Sequence, residues 1–335
     1  MSERRSIGPL SVGPIGLGCM SLSHAYGHPP AHDHAVRLLN RALDLGYDLL
    51  DTAALYGFGV NEELIGEAVG HRRREFTLAS KCGMQGVDGK RVIDGRPETL
   101  RRTLEDSLRR LRTDVIDLYY LHRWDKQVPI EESVGALAEM VRAGKVRAIG
   151  LSEVSADTLR RAHAIHPIAA VQNEYSPWSR NVELGVLEAT RALGTALVAF
   201  SPLARGFLAG AIRSADQLVE GDIRRSMPRF QGPNLAANLA LLARFETLAA
   251  EAGCAPAQLS LAWVLARGPH VVAIPGTTSQ VHLDENFGAG RVAIDTDLIA
   301  AIDSLFTPEA VAGPRYPAAT QAEIDTEDFA PSGGN

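Results

Sequence analysis

Four residues on three separate segments have side chains that together could transfer a proton. Asp51 and Tyr56 lie in DTAALYG, Lys81 in TLASKCG and His122 in YYLHRWD. Each segment begins as an apolar or β-branched run, which is typical of a strand, and then becomes polar or glycine-rich. Each residue is therefore predicted at or just beyond a strand end. If the strands belong to one barrel, the four side chains meet at one mouth of it.

A tyrosine beside a protonated lysine is suited to donate a proton. A positive charge at Lys81 favours the phenolate of Tyr56 and lowers its pKa, while Asp51 keeps Lys81 charged and oriented. Lowering the pKa of a tyrosine from about 10 to about 7 takes roughly 4 kcal/mol, which a desolvated neighbouring charge can supply. His122 can donate a hydrogen bond to the substrate oxygen. The set suits a carbonyl that becomes an alkoxide, and a cofactor must then supply hydride.

Eight apolar runs that alternate with helical patterns are predicted as strands. They cover 15–19, 47–51, 76–80, 115–121, 146–151, 168–172, 195–200 and 271–274. Most are near-continuously apolar, which indicates a parallel sheet buried on both faces. Closed into a ring, this α/β pattern is a (β/α)8 TIM barrel. An open doubly wound sheet is the alternative, but GPIGLGCM does not place its glycines between a strand and a helix as that fold requires.

The helices carry their own signals. An apolar stripe at spacings of 4, 4 and 3 runs through Leu100, Leu104, Leu108 and Leu111, and it indicates a helix packed on one face. Asn61 is predicted as a helix N-cap and Gly70 as the stop of that helix. Pro129 is predicted to begin a helix that Gly144 ends, and Asp33 to cap another.

Residues 1–306 are predicted as a single domain, with a small capping hairpin in IGPLSVGP and long loops at the C-terminal face of the barrel. The stretch 202–233 is long and rich in Gly, Pro and Arg, and a loop of that length is usually functional, often a lid. Residues 307–335 are rich in Pro, Ala and acidic residues and are expected to form a partly flexible tail.

Composition excludes several classes of protein. The 335 residues carry a net charge of -6, which predicts no general affinity for nucleic acid or an anionic membrane. The longest apolar runs are too short for a transmembrane helix, and the N-terminus lacks the apolar core of a signal peptide. Three well-separated cysteines indicate a reduced, cytoplasmic protein. The histidines of HAYGHPPAHDH lack thiolate partners and regular spacing, so no metal site is predicted.

Longer segments resemble the aldo-keto reductases, in detail the bacterial branch with short loops. They include LDTAALYGFGVNEELIGEAV, DLYYLHRWD, VQNEYSPW, AFSPLARGFLAG and IPGTTSQVHLDENFGA, and the similarity runs from about residue 6 to 306. The resemblance implies a TIM barrel that reduces aldehydes or ketones with NADPH, with NADH as a possible substitute. It implies Tyr56 as the general acid, Lys81 and Asp51 as its tuning pair and His122 as the orienting donor.

The resemblance also implies a cofactor site across the barrel mouth. Ser152 and Gln172 would hold the nicotinamide carboxamide, and Phe200 would stack on the ring. The residues expected along the pyrophosphate and the adenosine are Ser201, Leu203, Gly206, Ile274, Gly276, Thr277, Ser279, Gln280, His282 and Asn286.

The chain departs from the family pattern at two places. Glu153 stands where many relatives have asparagine, which makes a contact with the carboxamide doubtful. Relatives often carry Lys or Arg for the 2′-phosphate of NADPH where this chain has Ser279 and His282. Other hydroxyl, amide and backbone donors of that loop could bind the phosphate, as could Arg205 or the arginines in 224–229.

Residues on the loops after the strands are candidates for the substrate pocket. Met20, Tyr26, Trp124 and Trp178 are predicted as pocket walls, and packing of the loops onto the rim is the alternative. Arg123 either guides an anionic substrate or forms a surface salt bridge.

Two other functions compete with carbonyl reduction. A cofactor-binding regulatory subunit, of the type found in potassium-channel β subunits, would keep the barrel while its main role is binding, but the complete set of four residues argues against it. A metal-dependent barrel hydrolase needs several carboxylate or histidine ligands, and Lys81 would repel a metal. The expected partner is a small carbonyl compound. The sequence predicts neither its identity nor the oligomeric state.

Overall fold

The computed structural model describes residues 3–87 and 89–329. Its strands are β1 (Arg5–Ile7), β2 (Leu10–Val12), β3 (Leu17–Gly18), β4 (Leu49–Asp51), β5 (Thr77–Cys82), β6 (Met84–Val87), β7 (Lys90–Ile93), β8 (Ile116–Leu121), β9 (Val146–Ser152), β10 (Ala170–Glu174), β11 (Ala196–Phe200) and β12 (Val271–Ile274). Its helices are α1 (His32–Leu45), α2 (Val60–Val69), α3 (Pro97–Leu111), α4 (Ile130–Arg142), α5 (Ala156–Ile165), α6 (Val186–Leu193), α7 (Gly232–Glu251), α8 (Pro256–Leu265), α9 (Gln280–Gly288), α10 (Thr296–Leu305) and α11 (Ala318–Gln321).

Eight parallel strands form the central sheet, in the order β12, β11, β10, β9, β8, β5, β4, β3. The two ends of this sheet meet, because Ile15 bridges Ala273 in parallel and Gly16 N–H donates to Ala273 O at 2.9 Å. The sheet is therefore a closed ring, and every carboxyl end faces the same mouth. All eight predicted strands are confirmed, and so is the (β/α)8 barrel.

The N-terminal hairpin of β1 and β2 closes the opposite end of the barrel. Ile7 and Val12 are fully buried and pack with Leu118, Val198 and Val272 of the barrel interior. The hairpin thus covers the amino end of the barrel, opposite the carboxyl ends of the strands.

Two helix starts differ from prediction. Asn61 is not an N-cap: α2 begins at Val60, and the buried Asn61 side chain donates to Cys19 O at 2.9 Å and accepts from Thr52 Oγ1 at 2.6 Å. Its amide joins two loops at the barrel mouth, a long-range role that the local pattern does not show. Asp33 lies in the first turn of α1, which follows Ala31 without a side-chain cap. Pro129 does precede α4 as predicted.

The described part of the C-terminal tail, residues 307–329, packs against the barrel. Tyr316 and Ile324 belong to the main hydrophobic core, and Lys126 Nζ donates to Ile324 O at 2.9 Å. These contacts attach the described part of the tail to the barrel. The stretch 202–233 forms a series of short 3-10 turns before α7.

No single helix in residues 3–87 and 89–329 is both long and apolar enough to span a membrane, although α7 and α8, bent by 84° at their junction, pass that test as a pair.

Candidate active site

The four residues predicted from the sequence come together at the carboxyl mouth of the barrel. Asp51 ends β4, Lys81 lies near the end of β5, and His122 directly follows β8. These three strands are neighbours in the sheet. Tyr56 opens the 3-10 turn that precedes α2, on the loop that leaves β4. Strand order thus places all four side chains in one group.

Lys81 is the centre of this group. Its ammonium is fully buried and donates to a carboxylate oxygen of Asp51, to Thr52 O at 2.8 Å and to the Tyr56 hydroxyl at 3.2 Å. The other carboxylate oxygen of Asp51 accepts a hydrogen bond from Gln172 Nε2 at 2.7 Å. The ammonium and the carboxylate are therefore each held by more than one contact, which fixes the group before any substrate binds.

The electrostatics of the site correct one expectation. Burial raises the pKa of Tyr56 above its ordinary value, and the opposing charge of Lys81 does not offset it. The predicted lowering toward 7 is thus wrong in direction, and Tyr56 is protonated at neutral pH. Burial alone would lower the pKa of Lys81, but Asp51 and Tyr56 outweigh burial and raise it, so Lys81 stays charged.

His122 is the neutral member of the group. Burial, reinforced by the charges of Arg123 and Lys81, holds the pKa of His122 well below its ordinary value. Its ring meets the ring of Tyr56 edge-on, with 5.8 Å between centroids. A neutral imidazole has one N–H to offer and no charge to transfer, so it can orient a substrate oxygen while Tyr56 supplies the proton.

A cavity of about 790 Å³ extends from this group across the barrel mouth. Three of the four catalytic candidates line it, and Lys81 lies behind them. The predicted cofactor residues that line it are Ser152, Gln172, Phe200, Ser201, Leu203, Gly206, Ile274, Gly276, Thr277, His282 and Asn286, and the predicted pocket residues are Met20 and Tyr26. Positions on widely separated strands and loops thus share one cleft with the acid group.

Buried polar atoms without partners indicate what kind of ligand fits the cleft. Among the described residues, Ser21 Oγ, His122 Nδ1 and Asn286 Oδ1 belong to cavity-lining residues and make no hydrogen bond. A buried polar atom without a partner costs about 1–3 kcal/mol. His122 lies at the catalytic end, and Asn286 lies in α9 with His282. A long ligand with polar groups at both ends, such as a dinucleotide, suits this distribution.

Four residues predicted for the cofactor site or the pocket do not line the cavity. Trp178 is buried in a stack with Phe207, with 4.2 Å between ring centroids, and Trp124 turns its indole N–H to Val128 O at 2.9 Å. Both rings pack loops onto the rim, which was the alternative to a pocket wall. Ser279 caps α9, and Gln280 begins that helix with an exposed side chain.

Two buried charged residues, Glu153 and Arg205, concern the two places where the chain departs from the family pattern. Glu153 accepts from Thr326 Oγ1 at 3.0 Å and pairs with Arg315, so its carboxylate holds the C-terminal tail. Arg205, a candidate for the 2′-phosphate, donates to Glu174 at 2.7 Å and to the Tyr316 hydroxyl at 2.8 Å. Its charge is thereby paired with a carboxylate of the protein, through Nη2.

Several cavity residues were not predicted from the sequence. Tyr316, Pro317 and Thr320 of the tail line the cavity, and so does Arg91 on the β6–β7 hairpin. The tail has no periodic pattern that could have indicated this. The hairpin did have a signal, since the Asp-Gly pair between MQGV and KRVI is typical of a tight hairpin turn.

No group of three or more potential metal ligands occurs among the residues that the structure describes. The buried Lys–Asp pair, the adjoining Tyr and the neutral His lie together at the mouth of a TIM barrel, an arrangement that could donate a proton to a bound ligand.

Comparisons with known proteins give the family of the chain. The pattern of the Aldo/keto reductase family matches residues 14–306. The chain is 43% identical over 327 residues to the aldo-keto reductase yakc [NADP(+)] of Schizosaccharomyces pombe, in an alignment that covers 96% of both chains. The glycerol dehydrogenase AKR11B4 from Gluconobacter oxydans superimposes with a TM-score of 0.82 at 30% identity, covering 95% of this chain and 98% of the other. An aldo/keto reductase from Klebsiella pneumoniae in complex with NADP and acetate gives a TM-score of 0.68 at 28% identity, covering 92% and 95%.

The chain belongs to the aldo/keto reductase family. It is therefore an oxidoreductase that uses a nicotinamide cofactor.

Proposed function

We propose that this protein reduces an aldehyde or a ketone to the alcohol, with NADPH as the reductant and Tyr56 as the general acid. One observation carries the proposal: the Lys81 ammonium bridges the Asp51 carboxylate and the Tyr56 hydroxyl at the floor of the cavity, beside His122. A substrate carbonyl at that floor has a proton donor and a second hydrogen-bond donor within one small region.

The bound cofactor would supply a hydride to the carbonyl carbon. Ser152 and Gln172 would hold its nicotinamide, and the half-buried ring of Phe200 at the end of β11 would support it. Gln172 also donates to Asp51, so the proposed nicotinamide contact is directly connected to the acid group. Asn286 would meet the adenosine end, where its Oδ1 is free among the described residues.

Tyr56, Lys81 and His122 have separate roles in the proposed reaction. Tyr56 is protonated at neutral pH because burial raises its pKa, so it can give its proton to the developing alkoxide. Lys81 then stabilises the phenolate that remains. His122 orients the carbonyl oxygen. The reduction balances: the carbonyl carbon takes the hydride, its oxygen takes the Tyr56 proton, and solvent restores the tyrosine.

The preference for NADPH is part of the proposal. The Schizosaccharomyces relative is named for NADP(+) and the Klebsiella structure contains NADP, which favours NADPH here, while NADH stays a possible substitute.

A cytoplasmic location is also proposed, in line with three free cysteines in the described chain. The complete acid group disfavours the regulatory-subunit alternative, since a binding role needs no proton donor.

The test is NADPH oxidation with 4-nitrobenzaldehyde and methylglyoxal, followed by absorbance, in the wild type and in Tyr56→Phe. We expect Tyr56→Phe to lower kcat by about 10²- to 10⁴-fold, the usual contribution of a general acid. NADPH binding, measured by quenching of protein fluorescence, should stay within about twofold because the cofactor contacts are kept.

Tyr175→Phe is the matched control, because it removes a buried hydroxyl that bonds Glu183 outside the cavity. Its kcat should equal that of the wild type. Retention of most activity by Tyr56→Phe would reject the acid assignment. Tight NADPH binding without turnover of any carbonyl compound would favour the regulatory alternative.

A further inference from the structure

The arginines that line the cavity differ in whether they are paired with a carboxylate of the protein. They are Arg91, Arg123, Arg205 and Arg224. Three are paired with carboxylates: Arg205 with Glu174 at 2.7 Å, Arg224 with Asp222 at 2.6 Å, and Arg91 with Glu323. Within residues 3–87 and 89–329, Arg123 contacts His122 O and Ser152 Oγ and forms no ion pair with a carboxylate. The expectation of a surface salt bridge at Arg123 is therefore not met within the described chain.

The contacts of Arg123 leave most of its guanidinium available. Nη1 donates to His122 O at 2.7 Å and to Ser152 Oγ at 3.2 Å. Nε and Nη2 make no hydrogen bond with any described residue. The side chain is half-buried at the cavity and neither nitrogen is enclosed by the protein, so both are open to a ligand in the cleft. The free Nε–Nη2 edge matches the two oxygens of a carboxylate.

The position of Arg123 determines where that anion would lie. It follows His122 directly in the chain, and both residues line the cavity with Tyr56. Its charge reaches the proposed reacting groups, since it adds to burial in lowering the pKa of His122. The carboxylate at this floor, Asp51, is already engaged by Lys81 and Gln172. An anionic group on a bound substrate would therefore meet a positive field in the same cavity as the proposed reacting groups.

We propose that Arg123 binds a carboxylate of the substrate, so that the preferred substrates are aldehydes or ketones that carry a carboxylate close to the carbonyl group. This inference rests on the proposed carbonyl reduction, because it names the substrate class of the same site. Arg123 holds the carboxylate of the substrate, while Tyr56 and His122 act on the carbonyl oxygen of the substrate.

The test compares two substrates that differ chiefly in charge: 3-carboxybenzaldehyde and its neutral amide, 3-formylbenzamide. For wild type we expect the higher kcat/KM on the carboxylate. Arg123→Met should lower kcat/KM for the carboxylate by about 10- to 100-fold, as expected for loss of a charge-assisted hydrogen-bonded pair. For the amide the change should stay within about threefold. Arg123→Lys should recover part of the loss, since it keeps the charge without the fork.

Arg142→Met is the control. Arg142 lies in the last turn of α4, away from the cavity, so both substrates should behave as in the wild type. A binding measurement makes the test independent of turnover. Isophthalate, which carries the carboxylate but no aldehyde, should bind NADP⁺-loaded wild type at least about tenfold more tightly than Arg123→Met.

Equal losses on both substrates, with isophthalate binding unchanged, would overturn the inference and place Arg123 on the cofactor or on His122. If Arg123→Met binds NADPH more weakly than the wild type does, Arg123 contacts the cofactor and not the substrate. A wild type that binds isophthalate through Arg123 but reduces neither aldehyde would reject the proposed reduction and keep the carboxylate site.

Discussion

Two groups of buried charges lie at the carboxyl end of this barrel, and each places a cation beside a tyrosine hydroxyl that lines the cavity. In the first, Lys81 pairs with Asp51 and also reaches Tyr56, which lines the cleft. In the second, Arg315 pairs with Glu153 and lies 3.8 Å from Glu174. In the first group the tyrosine lies against the His122 ring, whereas in the second the Tyr316 hydroxyl accepts from Arg205 and the ion pairs hold the tail in place.

The second group is the larger assembly of charges. Arg205 adds a further ion pair to Glu174, and burial alone would raise the pKa of that carboxyl. Arg205, Arg315 and Arg229 outweigh burial and hold the pKa of Glu174 at about 2. These contacts join the loop after β11 to the tail, so their role is to build the wall of the cavity.

The comparison shows that a buried ion pair at a strand end is not by itself a sign of catalysis. Both groups have perturbed pKa values, which occur at functional sites and in structural networks alike. What separates them is that the tyrosine of the first group, Tyr56, lies against His122 at the proposed position of the substrate carbonyl, whereas Tyr316 lies in the network that holds the tail. Two substitutions and one pH profile can break or sharpen this distinction.

The largest expected effect is on catalysis, from Lys81→Met. Without the ammonium, burial raises the pKa of Tyr56 with only the weaker effect of Arg123 against it, and the phenolate left after proton transfer loses the Lys81 ammonium. We expect kcat to fall on the order of 10³-fold. Steady-state NADPH oxidation measures the loss, and circular dichroism checks that the variant is folded. A kcat within about threefold of the wild type would show that the two groups of charges do not differ in function.

Arg315→Met should instead act on stability. It leaves the Glu153 carboxylate buried without its cation, which typically costs about 3–5 kcal/mol. Urea unfolding measures the free energy, and limited proteolysis measures release of the tail, with Arg142→Met as the control on α4. We expect kcat to stay within about threefold of the wild type, while KM rises as the wall loosens. An unfolding free energy within about 1 kcal/mol of the wild type would contradict the structural role.

The smallest effect concerns pH. The pKa of Tyr56 is raised by burial, and that of His122 is lowered well below its ordinary value by burial. Tyr56 must be protonated to donate, so reduction is lost only as the pH rises through its raised pKa. His122 is neutral at and above neutral pH. We expect kcat to vary by less than about threefold between about pH 6 and 9. A loss of activity centred near neutral pH would show that Lys81 outweighs burial after all.

The ends of the strands could be predicted from the sequence, because the pattern that marks them is local. Apolar runs that become polar were enough to place Asp51, Lys81 and His122 at or beside the ends of their strands. The pKa of Tyr56 was not predictable in this way, since the balance between burial and Lys81 depends on how completely the side chain is enclosed. The same limit applied to Trp178, whose stacking partner Phe207 lies on a distant loop.

The order of strands and helices and the four candidate catalytic side chains were therefore determined by the sequence alone, because the alternation of apolar runs and the residues that follow them are local properties of a chain. Tertiary structure decided which charges have partners. It gave Glu153 a cation 162 positions away in Arg315, and it left Arg123, next to His122, without a carboxylate among the described residues. Those outcomes depend on which distant segments meet at the barrel mouth, and packing of the whole molecule determines that.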